Sequence, residues 1–355
     1  MTYKLKRTVP VLCLVAALCA TALLPTSSYS ENLRFVFIAD SRGETIDNLI
    51  NTPIVNAIIN QILALSPRPA FVMYGGDQAF AGSINGRYTF QLFKEAMAPL
   101  TKAGIPWYTV MGNHEICDTS DGSTIYHLAS QREYQKTFTN NPANGPSPDY
   151  DRLVYSFESP GGDAFFAVLD QYFLTGDGPA DLTGTIDAPQ LAWLRAQVAQ
   201  TKARHKFLFI HGPYYYIDFM PPPPDITYTQ LWKILDDNRF DLYCCGHNHL
   251  YSRKTIDGSI PPLPQLDPPV RWKNNVVQLL TGTMGAPIDP YIIVDPVKWN
   301  VHDDPNTYYY SVVDIRGSRV MVNSYQGNTG AYTVFDSFTI NKSAALPGLD
   351  LLLLP

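Results

Sequence analysis

Cysteine is scarce in this chain. Of five in 355 residues, only Cys117, Cys244 and Cys245 lie beyond the first thirty positions. An odd number with two adjacent members excludes a disulfide scaffold as the source of stability. One bridge, Cys117 to Cys245, is the conceivable exception, and buried free thiols are the expected state. Positive charge is also in short supply: 26 Lys and Arg stand against 32 Asp and Glu, a formal net charge of −6. That balance disfavours nucleic acid as the main partner, because backbone phosphates are bound by Lys and Arg. It does not exclude a small phosphate ester, whose binding is decided locally. No apolar run reaches the ~20 residues that a membrane-spanning helix needs. Neither an internal repeat nor a clean linker is visible. With 45% hydrophobic and 16% charged residues, the chain is globular rather than disordered.

The first thirty residues differ from the rest. Lys4, Lys6 and Arg7 precede an uncharged apolar stretch, Val9 to Leu24, and Ser28 and Ser30 stand at −3 and −1 of a cut before Glu31. This pattern predicts a signal peptide over 1–30, a secreted or periplasmic address and no membrane span after its removal. Bulky Leu18 before Cys19 argues against a lipoprotein site. Removing three positive charges and no acids brings the net charge to −6 − 3 = −9. Residues 31–340 then read as one domain, and 341–355 as a tail ending in four leucines and a proline, too short to span a bilayer.

What the chain does have is a series of short apolar runs, each closed by polar residues. Arg34 to Ala39 ends in Asp40-Ser41-Arg42-Gly43. Ala70 to Tyr74 ends in Gly75-Gly76-Asp77, and Ile105 to Met111 in Gly112-Asn113-His114-Glu115. Helical spacing over Ile46 to Leu65, with Pro53 near its start, and over Phe90 to Leu100 separates them. Strands alternating with helices imply parallel βαβ units, whose ligands gather beyond the strands' carboxyl ends. Leu153–Glu158 and Ala164–Asp170 predict an antiparallel hairpin. Asp187 caps a helix over Ala188 to Lys202. Lys206–Ile210 is a strand closed by His211, and Phe240–Cys244 one closed by Cys245-Gly246-His247-Asn248-His249. A short helix over Leu231 to Leu235 joins them. Val276 to Leu280 adds a strand, and Tyr308–Asp314, Arg319–Tyr325 and Tyr332–Thr339 read as antiparallel edge strands.

In extended backbone, residues i and i+2 point the same way, so His247 and His249 can face one point, with Gly246 easing the turn. Asp40, Asp77, Asn113, His114, His211, His247 and His249 all lie past strand ends. Carboxylate, amide oxygen and imidazole together suit Zn, Mn or Fe. One carboxylate can bridge two cations, and such a pair activates water and clamps a phosphoryl group. Tyr214, Tyr215, Tyr216 and Phe219, in a loop carrying Pro221 to Pro224, are candidate walls of a substrate cleft or simple packing. Glu115 and Gln78 read as structural hydrogen-bonders. His127, His205 and His302 receive no role.

Asp40-x-Arg42, Gly76-Asp77, Gly112-Asn113-His114-Glu115, His211 and Gly246-His247-x-His249 occur in the order of the calcineurin-like metallophosphoesterase signature, which this chain resembles over roughly residues 33 to 325. Ile186 to Leu194 and Gly282-Thr283-Met284-Gly285-Ala286 add to the resemblance. It implies an α/β fold, a four-layer α/β/β/α sandwich of two mixed β-sheets flanked by helices, around two metal ions. By position Asp77 would bridge the metals. Asn113, His211 and His247 would complete one site, and Asp40 and His249 the other, where calcium is also admissible. His114 would orient the phosphate or protonate the leaving oxygen. Arg42 departs from the pattern, since most members carry His there. Guanidinium offers no lone pair. Purple acid phosphatases, which also lack that His, use a Tyr three residues after the second Asp, where this chain has Phe80. Arg42 therefore either clamps a substrate oxygen or pairs with Glu44 or Glu115. The resemblance implies a secreted, metal-dependent hydrolase of phosphate mono- or diesters acting through metal-activated hydroxide. The alternatives are a degenerate, non-catalytic relative that binds phosphate, nucleotide or protein, and a cell-envelope scaffold.

Overall fold

Phe35, Val36, Phe37, Ile38 and Ala39 are all fully buried, so the strand Leu33–Ile38 is covered on both faces. Its side chains alternate between two cores. Phe35 and Phe37 join one cluster, Val36 and Ile38 the other. That alternation is the plan of the fold. A six-stranded and a seven-stranded sheet pack face to face, with helices outside. The structure is a computed structural model that describes residues 32–120, 123–179, 184–215, 226–260, 270–288, 300–302, 304 and 306–342.

In the first sheet, Leu33–Ile38 pairs in parallel with Phe71–Tyr74, which pairs in parallel with Trp107–Thr109. Tyr308–Arg316, Arg319–Gly327 and Thr333–Asn341 extend the other side in antiparallel fashion. Tyr308–Arg316 is thus an interior strand, not the predicted edge strand, because it bonds to Leu33–Ile38 as well as to its hairpin partner. The second sheet runs Tyr155–Glu158, Ala164–Val168, His205–Phe209, Leu242–Cys245, Val276–Thr281, Tyr251–Ile256, Asn300–His302.

The two sheets meet through phenylalanines. Phe71 and Phe166 lie edge to face with centroids 5.0 Å apart, and Phe35 and Phe207 at 5.3 Å. Each fully buried Phe contributes on the order of 2 kcal/mol, against roughly 0–1 kcal/mol for a surface ion pair. This aromatic seam is what holds one sheet on the other, and with it the two halves of the site.

Helix Thr52–Ala64 begins later than the spacing predicted, with Pro53 in its first turn. Residues Arg42–Thr45 and Asn48–Ile50 form a small hairpin instead. The helix buries Ile54, Val55, Ile58, Ile59 and Ile62. Asp187 caps Ala188–Gln200 by accepting from the Gln190 N–H at 3.1 Å. Helix Ile226–Asp237 is longer than its predicted core. A minor sheet including Ser83–Ile84, Cys117–Ser120 and Ser123–Tyr126 and the helix Leu128–Thr137 went unread, having no clear period in sequence. Cys117, Cys244 and Cys245 are buried free thiols. The predicted signal peptide, residues 261–269 and, of the predicted tail, residues 343–355 lie outside the described residues, while Asn341 ends the strand Thr333–Asn341.

Candidate metal centre

Past the ends of the parallel strands the chain turns sharply, and the turns carry the polar groups. Asp40 and Asp77 both adopt φ 58° and His247 φ 72°, the left-handed region that non-glycine residues seldom occupy. Half of the described non-glycine residues with positive φ are thus candidate ligands, a concentration expected of functional sites. The two aspartate turns are stitched together: Asp40 N–H donates to the Gly76 carbonyl at 3.0 Å, and Ser41 N–H to the Asp77 carbonyl at 3.0 Å. Buried Tyr74 adds its hydroxyl to the Ser41 N–H at 2.7 Å. Glu115, also buried, accepts from the N–H groups of Asp77 (2.9 Å), Gln78 (2.6 Å) and Gly112 (2.6 Å). It thereby locks the second and third strand-end turns to each other.

Two glycines are required for space. A Cβ on Gly246 would stand 2.3 Å from Asp40 Oδ2, and one on Gly76 2.5 Å from His211 Nδ1. Gly246 is therefore needed for close approach to a carboxylate rather than for the turn itself.

All seven predicted residues converge. Donor atoms of Asp77, His211 and His247 lie within 4.8 Å of one another, as do those of Asp40, Asp77 and His249. Asp77 belongs to both groups. His211 Nε2 is 3.2 Å from Asp77 Oδ1, and His247 Nδ1 is 3.3 Å from His211 Nε2 and 3.2 Å from Asn113 Oδ1. On the other side His249 Nε2 is 3.9 Å from Asp40 Oδ1. His211 Nδ1 faces the Gly75 carbonyl at 2.7 Å, which places its proton there and turns the Nε2 lone pair inward. His114 likewise places Nδ1 on the Phe80 carbonyl, leaving Nε2 3.8 Å from Asp77 Oδ2. Phe80 thus contributes through its backbone.

The electrostatics fit cations. Burial, followed by the neighbouring Asp77, raises Asp40 well above the carboxylate range despite His211. Burial would raise Asp77 too, but His211 and His114 hold it well below. Burial opposes charge on His211, yet Asp77 and Asp40 lift it to about 9, so without a cation a proton on Nε2 occupies the place a metal would take. Burial, with His211 and with Arg42 respectively, pushes His247 and His249 down to about 3, so both are neutral donors. Two buried carboxylates side by side, with neutral imidazoles aimed at them and glycines clearing the space, form a donor set suited to Mn, Zn or Fe.

Arg42 pairs with neither Glu44 nor Glu115. Its Nε lies 4.0 Å from Asp77 Oδ2 and makes no hydrogen bond among the described residues, while Nη1 donates to the Gly43 carbonyl at 3.2 Å. Glu115 acts as the hydrogen-bonder expected, lifted to about 7 by burial and by Asp77. The Gln78 side chain, although buried, makes no hydrogen bond among the described residues. Tyr214 and Tyr215 are packing residues, the first stacked on Trp232 and the second edge to face with it. Tyr216 and Phe219 lie outside the described residues. His205 has a structural partner, Asp241, at 3.2 Å.

Sequence reasoning missed Asp170 and Tyr172. Tyr172 covers His211 and His247, with ring centroids 5.9 and 6.3 Å away. Asp170 is fully buried and raised to about 8 by burial. The signal was present: Leu169-Asp170-Gln171-Tyr172 follows the strand Ala164–Val168. That strand, read only as half of a hairpin, also pairs in parallel with His205–Phe209.

Comparison with known proteins agrees with this geometry. The family model for calcineurin-like phosphoesterase matches residues 33–251. Tartrate-resistant acid phosphatase type 5 of Oryctolagus cuniculus is 24% identical over 254 residues, 66% of this chain and 73% of that protein. The Homo sapiens protein of the same name is 25% identical over 234 residues, 61% of this chain and 67% of its own length. Among solved structures, purple acid phosphatase PPD1 from yellow lupin (Lupinus luteus) seeds superposes with a TM-score of 0.62 at 18% identity, covering 88% of this chain. The chain spans about half (54%) of that lupin protein. PhoD superposes with a TM-score of 0.60 at 11% identity, covering 88% of this chain and 70% of its own. At these identities the structural likeness establishes the shared fold.

Proposed function

Because the chain belongs to the calcineurin-like phosphoesterase family, we propose that it hydrolyses phosphate mono- or diesters at the cluster of Asp40, Asp77, Asn113, His211, His247 and His249. The observation that carries this reading is the pair of overlapping donor groups sharing Asp77. Bound there, two cations supply Lewis acidity that lowers the pKa of water and offsets phosphoryl charge. Mn, Zn or Fe suits the Asn113/His211/His247 side, and calcium is admissible beside Asp40 and His249.

The side chains around that centre divide the remaining work. Asp77 offers one oxygen toward His211 and the other toward His114 and Arg42. His114, with Nδ1 committed to Phe80, presents Nε2 to protonate the leaving oxygen. Burial lowers its pKa, which strengthens it as an acid and confines the charged form to acidic pH. Arg42, its Nε unpartnered beside Asp77, orients a phosphate oxygen, a task suited to a fork of donors. Residues 31–340 act as one catalytic domain delivered by the leader 1–30 to a secreted or periplasmic location. The charged start and apolar run of that leader support this address. Among the described residues no helix is long and apolar enough to cross a membrane.

The test is elemental analysis of the purified protein followed by nitrophenol release from mono- and bis-nitrophenyl phosphate with Mn, Zn, Fe or Ca. Two metals with turnover are expected. One metal without turnover would favour a non-catalytic phosphate-binding relative, and no metal would overturn both. Arg42→Met is expected to retain metal but to lose about tenfold or more in kcat/KM. Unchanged kinetics would remove Arg42 from the substrate's surroundings.

A further inference from the structure

At the opposite end of the second sheet from the metal centre lies a cleft of about 890 Å3. Its walls are the starts of His205–Phe209 and Val276–Thr281, the end of helix Ile226–Asp237 and the sheet-edge strand Thr333–Asn341. The strands leading from it to the metal centre are four to six residues long, so the two sites are separated by roughly 15–20 Å.

The charge of this cleft runs against that of the chain. Acids outnumber bases in the sequence, 32 to 26, yet seven Lys and Arg line the cleft and no Asp or Glu does. Some of these cations are already used. Arg253 holds Asp336 with two hydrogen bonds, at 2.7 and 3.2 Å, and lies over the Phe338 ring at 4.5 Å. Lys342 is committed as an anchor: it donates to Asp241 Oδ2 (2.6 Å) and to the carbonyls of Arg204 (2.8 Å) and Arg239 (2.6 Å). It thus pins the backbones of two other cations at the cleft floor. Asp236 holds the Lys273-Asn274 backbone by accepting from both N–H groups, the shortest at 2.7 Å.

Five remain: Lys206, whose amine donates to the Ala203 carbonyl at 2.9 Å, and Lys202, Arg204, Arg239 and Lys273, which form no ion pair among the described residues. Burial, and then Lys342 and Arg239 against the opposing Asp241, hold the Lys206 amine below its ordinary value. On a convex surface such side chains would splay into solvent. Here the four, exposed but with the backbones of Arg204, Arg239 and Lys273 anchored, line a concavity whose lining also includes the apolar Val277, Phe338 and Ile340. The neighbouring acids Asp336 and Asp241 are taken up by Arg253 and Lys342, so the remaining like charges favour a bound anion. A volume of this size is that of a small-molecule site rather than a track for a polymer.

We propose that this cleft is a second binding site, for a small organic ligand that carries two or more phosphate groups beside an apolar ring or chain. The phosphates meet Lys202, Arg204, Arg239 and Lys273, and the apolar part meets Val277 and Ile340. The site is independent of the metal centre and of any reaction there.

The probe is adenosine α,β-methylene diphosphate, whose methylene bridge resists hydrolysis, titrated calorimetrically into the full chain at about 0.15 M salt. Hydrogen exchange locates the bound probe. Protection is expected over 202–206, 238–239, 273–277 and 338–342. Arg204→Ser with Lys273→Ser is expected to weaken cleft binding about tenfold or more, whereas the charge-preserving pair Arg204→Lys with Lys273→Arg stays within about threefold. The denaturation midpoint of each variant verifies folding without reference to catalysis. Protection confined to the rim around Asp40 and Asp77, equal affinity of the serine variant, or no binding at this salt would each overturn the proposal.

Discussion

Asp77→Asn is expected to lower kcat/KM about a thousandfold, or roughly 4 kcal/mol of transition-state stabilisation, and to reduce the bound metal from two ions to at most one. Asp77 alone belongs to both donor groups. Asn keeps the shape and one oxygen, so the bond from the His114 N–H, 3.1 Å from Oδ1 in the parent, can survive. What it loses is the negative charge and the second anionic oxygen, and an amide nitrogen is no ligand. Stability in chelator is expected to fall as well, because the change breaks the buried 3.2 Å pair in which Asp77 lifts His211 and His211 holds Asp77 well below the carboxylate range, although it relieves Asp40, whose carboxyl Asp77 helps to raise. Metal content and kinetics are therefore read at a temperature where the denaturation midpoint shows the variant folded. A variant with two metals and turnover within about tenfold of the parent would remove Asp77 from the shared position.

The second large effect concerns stability. Glu115→Ala should lower the free energy of unfolding by about 4 kcal/mol, since three buried backbone N–H groups lose their acceptor at once, each at about 1–3 kcal/mol less whatever water recovers. Those N–H groups belong to Asp77, Gln78 and Gly112. Glu115→Gln is expected to lose at least half as much. Both carboxylate oxygens accept, and an amide would turn a donor toward one of these donors. Denaturant titration in chelator measures both variants apart from metal binding. An alanine variant within about 1 kcal/mol of the parent would show that the turns hold without this carboxylate. The larger the loss, the more firmly the fold depends on a residue that is no candidate ligand.

Much of the site was legible because the rule that locates it is local. An apolar run that ends in Asp, Asn or His is visible in a few residues, and Asp40, Asp77, Asn113 and His211 each follow such a run. The same rule would have reached Asp170 and Tyr172 had Ala164–Val168 been recognised as parallel to a later strand. Nearness to Tyr155–Glu158 hid that second pairing, since a strand in mid-sheet has two neighbours and sequence proximity reveals only one. Gly246 reads in sequence as sparing a Cβ clash at the turn, and the structure names the atom spared, Asp40 Oδ2, 2.3 Å from where a Cβ would stand. Gln78 is a structural hydrogen-bonder through its backbone, donating to Glu115 and accepting from Ser41, and its side chain makes no hydrogen bond among the described residues, while Glu115 bonds through both side-chain oxygens.

By itself, the order of residues determined the α/β alternation, the buried free thiols and the set of candidate donors, because strand pattern, turn chemistry and ligand type are properties of neighbouring residues. Only the packed molecule decided that Arg42 turns toward Asp77 rather than Glu44 or Glu115, and that cations from residues 202 to 342 line one cleft. Those are distances between groups far apart along the chain, and they exist only once the phenylalanine seam has set one sheet against the other.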